Sequence, residues 1–107
     1  MNYIKLKSTL GLLLVNTTIA NQGTKLTIFN YVNGIFTRVI TTVKDQNGNY
    51  ALNTPLIDQE VIDSILSNTV YYGKVILFGK EFSAMYAPIY DSNDLLLIGI
   101  KFSGIPY

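Results

Sequence analysis

Short runs of apolar and β-branched residues recur along the chain, each bounded by glycine, asparagine or aspartate. Leu10 to Ile19, Thr24 to Phe29 and Ile35 to Val43 are rich in Leu, Ile, Val and Thr. They are parted by Asn21-Gln22-Gly23 and Asn33-Gly34, which predicts three strands joined by antiparallel hairpins. After a turn cluster at Asp45-Gln46-Asn47-Gly48-Asn49 the period changes. Val61, Ile62, Ile65 and Leu66 follow Pro55 and Asp58 at i, i+1, i+4 and i+5, the apolar face of one short helix. Val70 to Phe78, Glu81 to Ile89 and Leu95 to Phe102 return to strand chemistry, broken by Gly79-Lys80 and Asp91-Ser92-Asn93-Asp94. Gly73, Gly79, Gly99 and Gly104 mark bulges, bends or close backbone approaches. This order predicts an α+β domain, an antiparallel sheet of five to six strands with a short helix and loops covering one face. A cavity under that cover is the default place for a small molecule, and polar residues inside strands are its candidate ligands.

Composition narrows the function. A chain of 107 residues, 49% hydrophobic and 14% charged, must bury a core and fits one domain over residues 1–107. A net charge of +1 lacks the basic excess that nucleic-acid binding requires. With no Cys and no His, thiolate and imidazole catalysis, disulfides and zinc-finger ligation are excluded. Only carboxylate, Lys or Tyr chemistry is left, at no informative spacing, so no enzyme is expected. The longest apolar run, Leu12 to Val15, reaches Leu10 only across Gly11 and is too short to cross a bilayer. It breaks into Asn16, Thr17 and Thr18, so neither a membrane insertion nor a targeting segment is expected. Asp58, Glu60 and Asp63 read as a solvated helix N-terminus rather than a metal site. Asp91 to Asp94 lacks the spacing of a calcium loop, so neither metal nor cofactor is expected.

Arg38 is the only arginine and lies in a β-branched strand, where a guanidinium either points to solvent, forms a structural salt bridge or finds an anion. Strict alternation puts Phe36, Arg38 and Thr42 on one face and Thr37 and Thr41 on the other, and either face could look into the pocket. Eight of thirteen aromatic residues are tyrosines, whose phenols can close a pocket wall and hydrogen-bond a ligand at once. Lys74, two residues beyond Tyr72, shares its face and is either a polar pocket residue or a solvated lysine.

Six segments carry a family resemblance over residues 24 to 105. They are Leu26-Thr27-Ile28-Phe29, Phe36-Thr37-Arg38-Val39-Ile40-Thr41-Thr42-Val43, Asp45-Gln46-Asn47-Gly48, Tyr72-Gly73-Lys74-Val75-Ile76-Leu77-Phe78-Gly79, Met85-Tyr86-Ala87-Pro88-Ile89-Tyr90-Asp91 and Ile98-Gly99-Ile100-Lys101-Phe102-Ser103-Gly104-Ile105. In this order they resemble the single Cache domains of the Cache_3 and Cache_2 type, PAS-like sensor domains of bacterial methyl-accepting chemotaxis receptors and sensor histidine kinases. The resemblance implies an extracytoplasmic, periplasmic domain of an inner-membrane receptor that binds a small molecule for signal transduction. It implies that Arg38 borders the pocket as a carboxylate clamp, with Tyr72 and Tyr86 on the family's Y-x-G and Y-x-P positions. Lys74 and Thr42 complete the candidate set. Small carboxylates are the favoured ligand, because the chain supplies cationic and phenolic donors but few convergent acids. The chain departs from the family at Asn53-Thr54, at Ser67-Asn68-Thr69, and in offering strand chemistry over residues 1–20 where a long helix is usual. The competing expectation is a ligand-free PAS-like module that dimerises through an apolar strand such as Leu10 to Val15.

Overall fold

The computed structural model describes residues 23–107. Five strands, β1 (Lys25–Val32), β2 (Ile35–Thr41), β3 (Tyr71–Leu77), β4 (Lys80–Tyr90) and β5 (Leu97–Pro106), form one antiparallel sheet in the order β2-β1-β5-β4-β3. The helix α1 (Gln59–Leu66) lies between β2 and β3 in sequence. This is the α+β, PAS-like architecture expected from the sequence. The strand expected over Leu10 to Ile19 lies outside the described residues.

Turn chemistry sets the hairpins. Asn33 and Gly34 both take positive φ, at 53° and 80°, the two-residue turn whose twist matches that of the flanking strands. The β3–β4 turn is of the same kind but is one residue earlier than the sequence suggested. Phe78 and Gly79 occupy it at φ 51° and 81°, and Lys80 already belongs to β4. An aromatic residue in the left-handed region is unusual and marks a place where tertiary contacts hold the backbone.

The sheet buries both faces unequally. Its inner face carries Phe29, Phe36, Val75, Phe82, Tyr86, Ile100 and Phe102, over which α1 lays Val61 and Ile65. Asp58 caps that helix by accepting from the amides of Glu60 (3.1 Å) and Val61 (3.4 Å), worth about 1 kcal/mol. The outer face buries a smaller group, Leu26, Ile28 and Ile98, flanked by Val39, Ile40 and Ile89.

Two bulges decide which residues share a face. Ile28 pairs with Ile40 and Phe29 with Arg38, so Val39 is the extra residue on β2. Likewise Ile89 pairs with Gly99 and Tyr90 with Leu97, leaving Ile98 extra on β5. Beyond the regular sheet, the segment at 53–56 runs along the outer edge of β2. The Arg38 amide donates to Thr54 O (2.9 Å), the Asn53 amide to Arg38 O (2.8 Å) and the Leu56 amide to Phe36 O (2.8 Å). A single antiparallel bridge, Thr37 to Pro55, completes this short extension.

Candidate functional site

Arg38 is the organising residue. The pairing of β2 with β1 aims its side chain at the inner face, where only 4% of the residue is exposed. Its Nη1 donates to Thr54 Oγ1 (3.1 Å) and to Pro55 O (2.9 Å), both on the segment that borders β2. The guanidinium carbon lies 5.0 Å from the Phe29 ring centroid and 5.4 Å from that of Phe78. Stacked aromatic faces and two neutral acceptors are what hold this cation. Among the described residues the one ion pair joins Lys74 to Glu81, and no carboxylate pairs with Arg38. Nε is buried with no hydrogen-bond partner. Burial holds the guanidinium below its ordinary pKa, partly offset by Tyr86, yet it stays charged at neutral pH.

Tyr86 is the second unsatisfied group. It is fully buried, packed 4.9 Å from the ring of Phe102 and 6.2 Å from that of Phe29, and its hydroxyl has no partner. Burial pushes the phenol far above its ordinary value, while Arg38 pulls the other way. Arg38 and Tyr86 thus share the chamber around Phe29. Two orphaned polar atoms in one core are costly, because each forgoes its hydrogen bonds to water without replacement.

A cleft of about 330 Å³ opens beside Arg38. Thr54, Pro55 and Ile57 form one wall, on the segment that borders β2. Ile76, Leu77 and Phe78 form the other, at the end of β3 and in its turn. Since β2 and β3 are the two edges of the sheet, the cleft is the gap that a curled, incompletely closed sheet leaves between them.

The residues expected from the sequence separate into two groups. Arg38 and Tyr86 stand together on the inner face. Tyr72 and Lys74 stand on the outer face of β3, where Tyr72 is 73% exposed and Lys74 forms a 2.7 Å ion pair with Glu81. Tyr71 takes the inward position instead, donating to Glu60 Oε1 (3.1 Å) and meeting Tyr86 edge to face at 6.0 Å. Thr42 is also displaced from Arg38. Strict alternation placed it on the face of Arg38, but the Val39 bulge reverses the parity. Thr41 therefore joins that face, its hydroxyl 2.7 Å from that of Thr27, whereas Thr42 Oγ1 accepts from the Leu26 amide at 2.8 Å and serves the sheet. Sequence reasoning did not single out Thr54, Pro55, Ile57 or Phe78 for the site. The one local signal near them was Gly79, beside Phe78, which the sequence placed in a break at Gly79-Lys80.

The single antiparallel sheet with one short helix is the PAS-like fold that the resemblance implied, and the family comparison agrees. A family model described as single cache domain 3 matches residues 11–107, nearly the whole chain. The chain belongs to the single Cache domain 3 family. No curated protein and no solved structure matches it significantly. Cache domains are extracellular sensor domains that bind ligands. In this Cache domain the described residues include no helix long and apolar enough to cross a membrane.

Proposed function

We propose that this Cache domain is the periplasmic sensing part of a bacterial inner-membrane receptor, a chemoreceptor or a sensor kinase. It binds a small carboxylate at Arg38 and does no chemistry on it. The observation that carries this reading is the buried guanidinium that no carboxylate of the described chain neutralises, with Nε unsatisfied. An arginine in that state costs folding free energy, and an incoming carboxylate that accepts from the Nε edge repays the cost through charge-assisted hydrogen bonds. The orphaned Tyr86 hydroxyl supplies a second donor in the same chamber. Anion binding between the two edges of the sheet would favour the arrangement in which they approach, and such differential affinity is what a signal requires.

The test is a thermal-shift screen of the full chain against acetate, propionate, succinate, malate and a set of amino acids, repeated with Arg38→Met. A carboxylate at 100 times its dissociation constant should add about 2.7 kcal/mol to folding. That stabilisation should disappear in Arg38→Met while the unliganded melting temperature is kept. A carboxylate shift that survives in Arg38→Met removes Arg38 as the anchor. The absence of any carboxylate shift overturns the reading.

A further inference from the structure

The cleft beside Arg38 is chemically lopsided. Of the residues that line it, Arg38 alone is charged, no Asp or Glu contributes, and Ile57, Ile76, Leu77 and Phe78 supply apolar walls. Ile57 lies open to solvent at 83% exposure, while Leu77 and Phe78 across the gap pack against the inner core; Ile76 borders the cleft, but its place on β3 turns its side chain to the outer face with Tyr72 and Lys74. A large aliphatic group so exposed beside an apolar wall gains by covering from an apolar body placed between the two. One end of the cleft therefore selects an anion, and the rest selects hydrocarbon. Asp91, a buried acid that does not line the cleft, is committed to its own loop. Its Oδ1 accepts from the amides of Asn93 (2.8 Å) and Asp94 (3.4 Å).

We infer that the ligand of this site is a monocarboxylate with a bulky apolar body, branched aliphatic or aromatic, whose carboxylate meets Arg38 while its body fills the gap between Ile57 and the wall of Leu77 and Phe78. This rests on the carboxylate reading above and sharpens it by excluding two neighbouring classes. A dicarboxylate would bring a second charge against apolar walls that offer it no cation. An α-amino acid would bring an ammonium to a cleft without an acid. In both cases a charged group loses water and gains no partner. The volume of about 330 Å³ falls at the small end of ligand sites and suits a compact body rather than a long chain.

Isothermal titration of the full chain with acetate, 4-methylpentanoate, phenylacetate, succinate and leucine tests this. Affinity should rise from acetate to 4-methylpentanoate by up to roughly fourfold per buried methylene, with phenylacetate also binding tighter than acetate. Ile57→Ser and Ile57→Asn change an exposed side chain and should leave folding intact. They should erase the gain of the two bulky acids and leave acetate binding as it was. Succinate or leucine binding more tightly than both bulky acids, in an Arg38-dependent way, overturns this inference and keeps the carboxylate site. Bulky acids that bind equally well to the two Ile57 variants also overturn it, since the apolar wall then plays no part. If none of the five binds, the carboxylate site itself falls.

Discussion

Arg38 and Phe78 touch across the open side of the sheet, the guanidinium carbon 5.4 Å from the ring centroid. They belong to opposite edges, for β2 and β3 are separated by β1, β5 and β4. At about 4.8 Å between neighbouring strands a flat sheet would hold those edges roughly 19 Å apart, so the sheet must curl to bring them together. Phe78 reaches this position from a backbone at φ 51°. Replacing it separates backbone from side-chain effects. Both Phe78→Ala and Phe78→Gly lose the ring, but only glycine is at ease at positive φ. Phe78→Gly should therefore retain about 1 kcal/mol more stability than Phe78→Ala, the reverse of the usual order in a strand, as read by urea unfolding.

Arg38 is a buried cation held by neutral acceptors and aromatic faces, with no acid partner among the described residues. Arg38→Met preserves much of the side-chain volume and removes a buried charge that lacks an acid, which favours the variant. It also deprives Pro55 O and Thr54 Oγ1 of a donor, which disfavours it. The two effects oppose each other, and unfolding stability should stay within about 1 kcal/mol of the parent. A collapse of folding in Arg38→Met would mean that the arginine is structural.

Tyr86 allows a prediction with a definite direction in pH. Its hydroxyl is buried and unpaired, so Tyr86→Phe should raise the stability of the unliganded domain by about 1 kcal/mol. The folded phenol titrates above its unfolded value of about 10. The neutral form is thus the one the fold accepts. Its contribution is fully present below about pH 10 and is lost as pH rises from there through the folded value. Denaturant midpoints measured from pH 8 to pH 11 should fall less steeply at the alkaline end in Tyr86→Phe than in the parent.

Gly104 is fixed by a neighbour rather than by its backbone angles. A Cβ there would come within 2.5 Å of the Phe102 ring tip, and that ring is itself 1% exposed in the core. With no room to swing away, Phe102 must shift the packing around Tyr86 and Phe82. Gly104→Ala should cost about 1–3 kcal/mol in thermal or urea unfolding. A neutral result would show that the ring finds another rotamer.

Tyr72 and Lys74 lie on the wrong side of the sheet for the Arg38 chamber. Tyr72→Ala and Lys74→Ala should each leave the affinity of any Arg38-dependent ligand unchanged in calorimetry. Lys74 and Glu81 form an exposed pair held above the lysine's ordinary pKa by that hydrogen bond, a type of contact that contributes little to stability. A loss of affinity in either variant would place the ligand on the outer face.

The elements were legible in the sequence because strand and turn preferences are local. Alternating β-branched runs, the Asn33-Gly34 turn and the spacing of Val61, Ile62, Ile65 and Leu66 specify the five described strands and the helix, although β1 runs on to Val32 and β5 to Pro106, past the expected ends at Phe29 and Phe102. Arg38 and Tyr86 were legible as candidates because a lone arginine inside a strand and a tyrosine at a family position stand out from their neighbours. Faces were another matter. A single bulged residue, Val39, moved Thr42 away from Arg38 and brought Thr41 to it, and a bulge depends on how two strands register rather than on either one. The far wall of the cleft was hidden for a stronger reason. Ile57, Ile76 and Phe78 lie some 20 to 40 positions from Arg38 along the chain and meet it only because the sheet curls until its edges approach. The chain by itself determined which residues form strands and which side chain carries the charge. The curl, set by twist accumulated over five paired strands and by the core packed against them, decided what surrounds that charge.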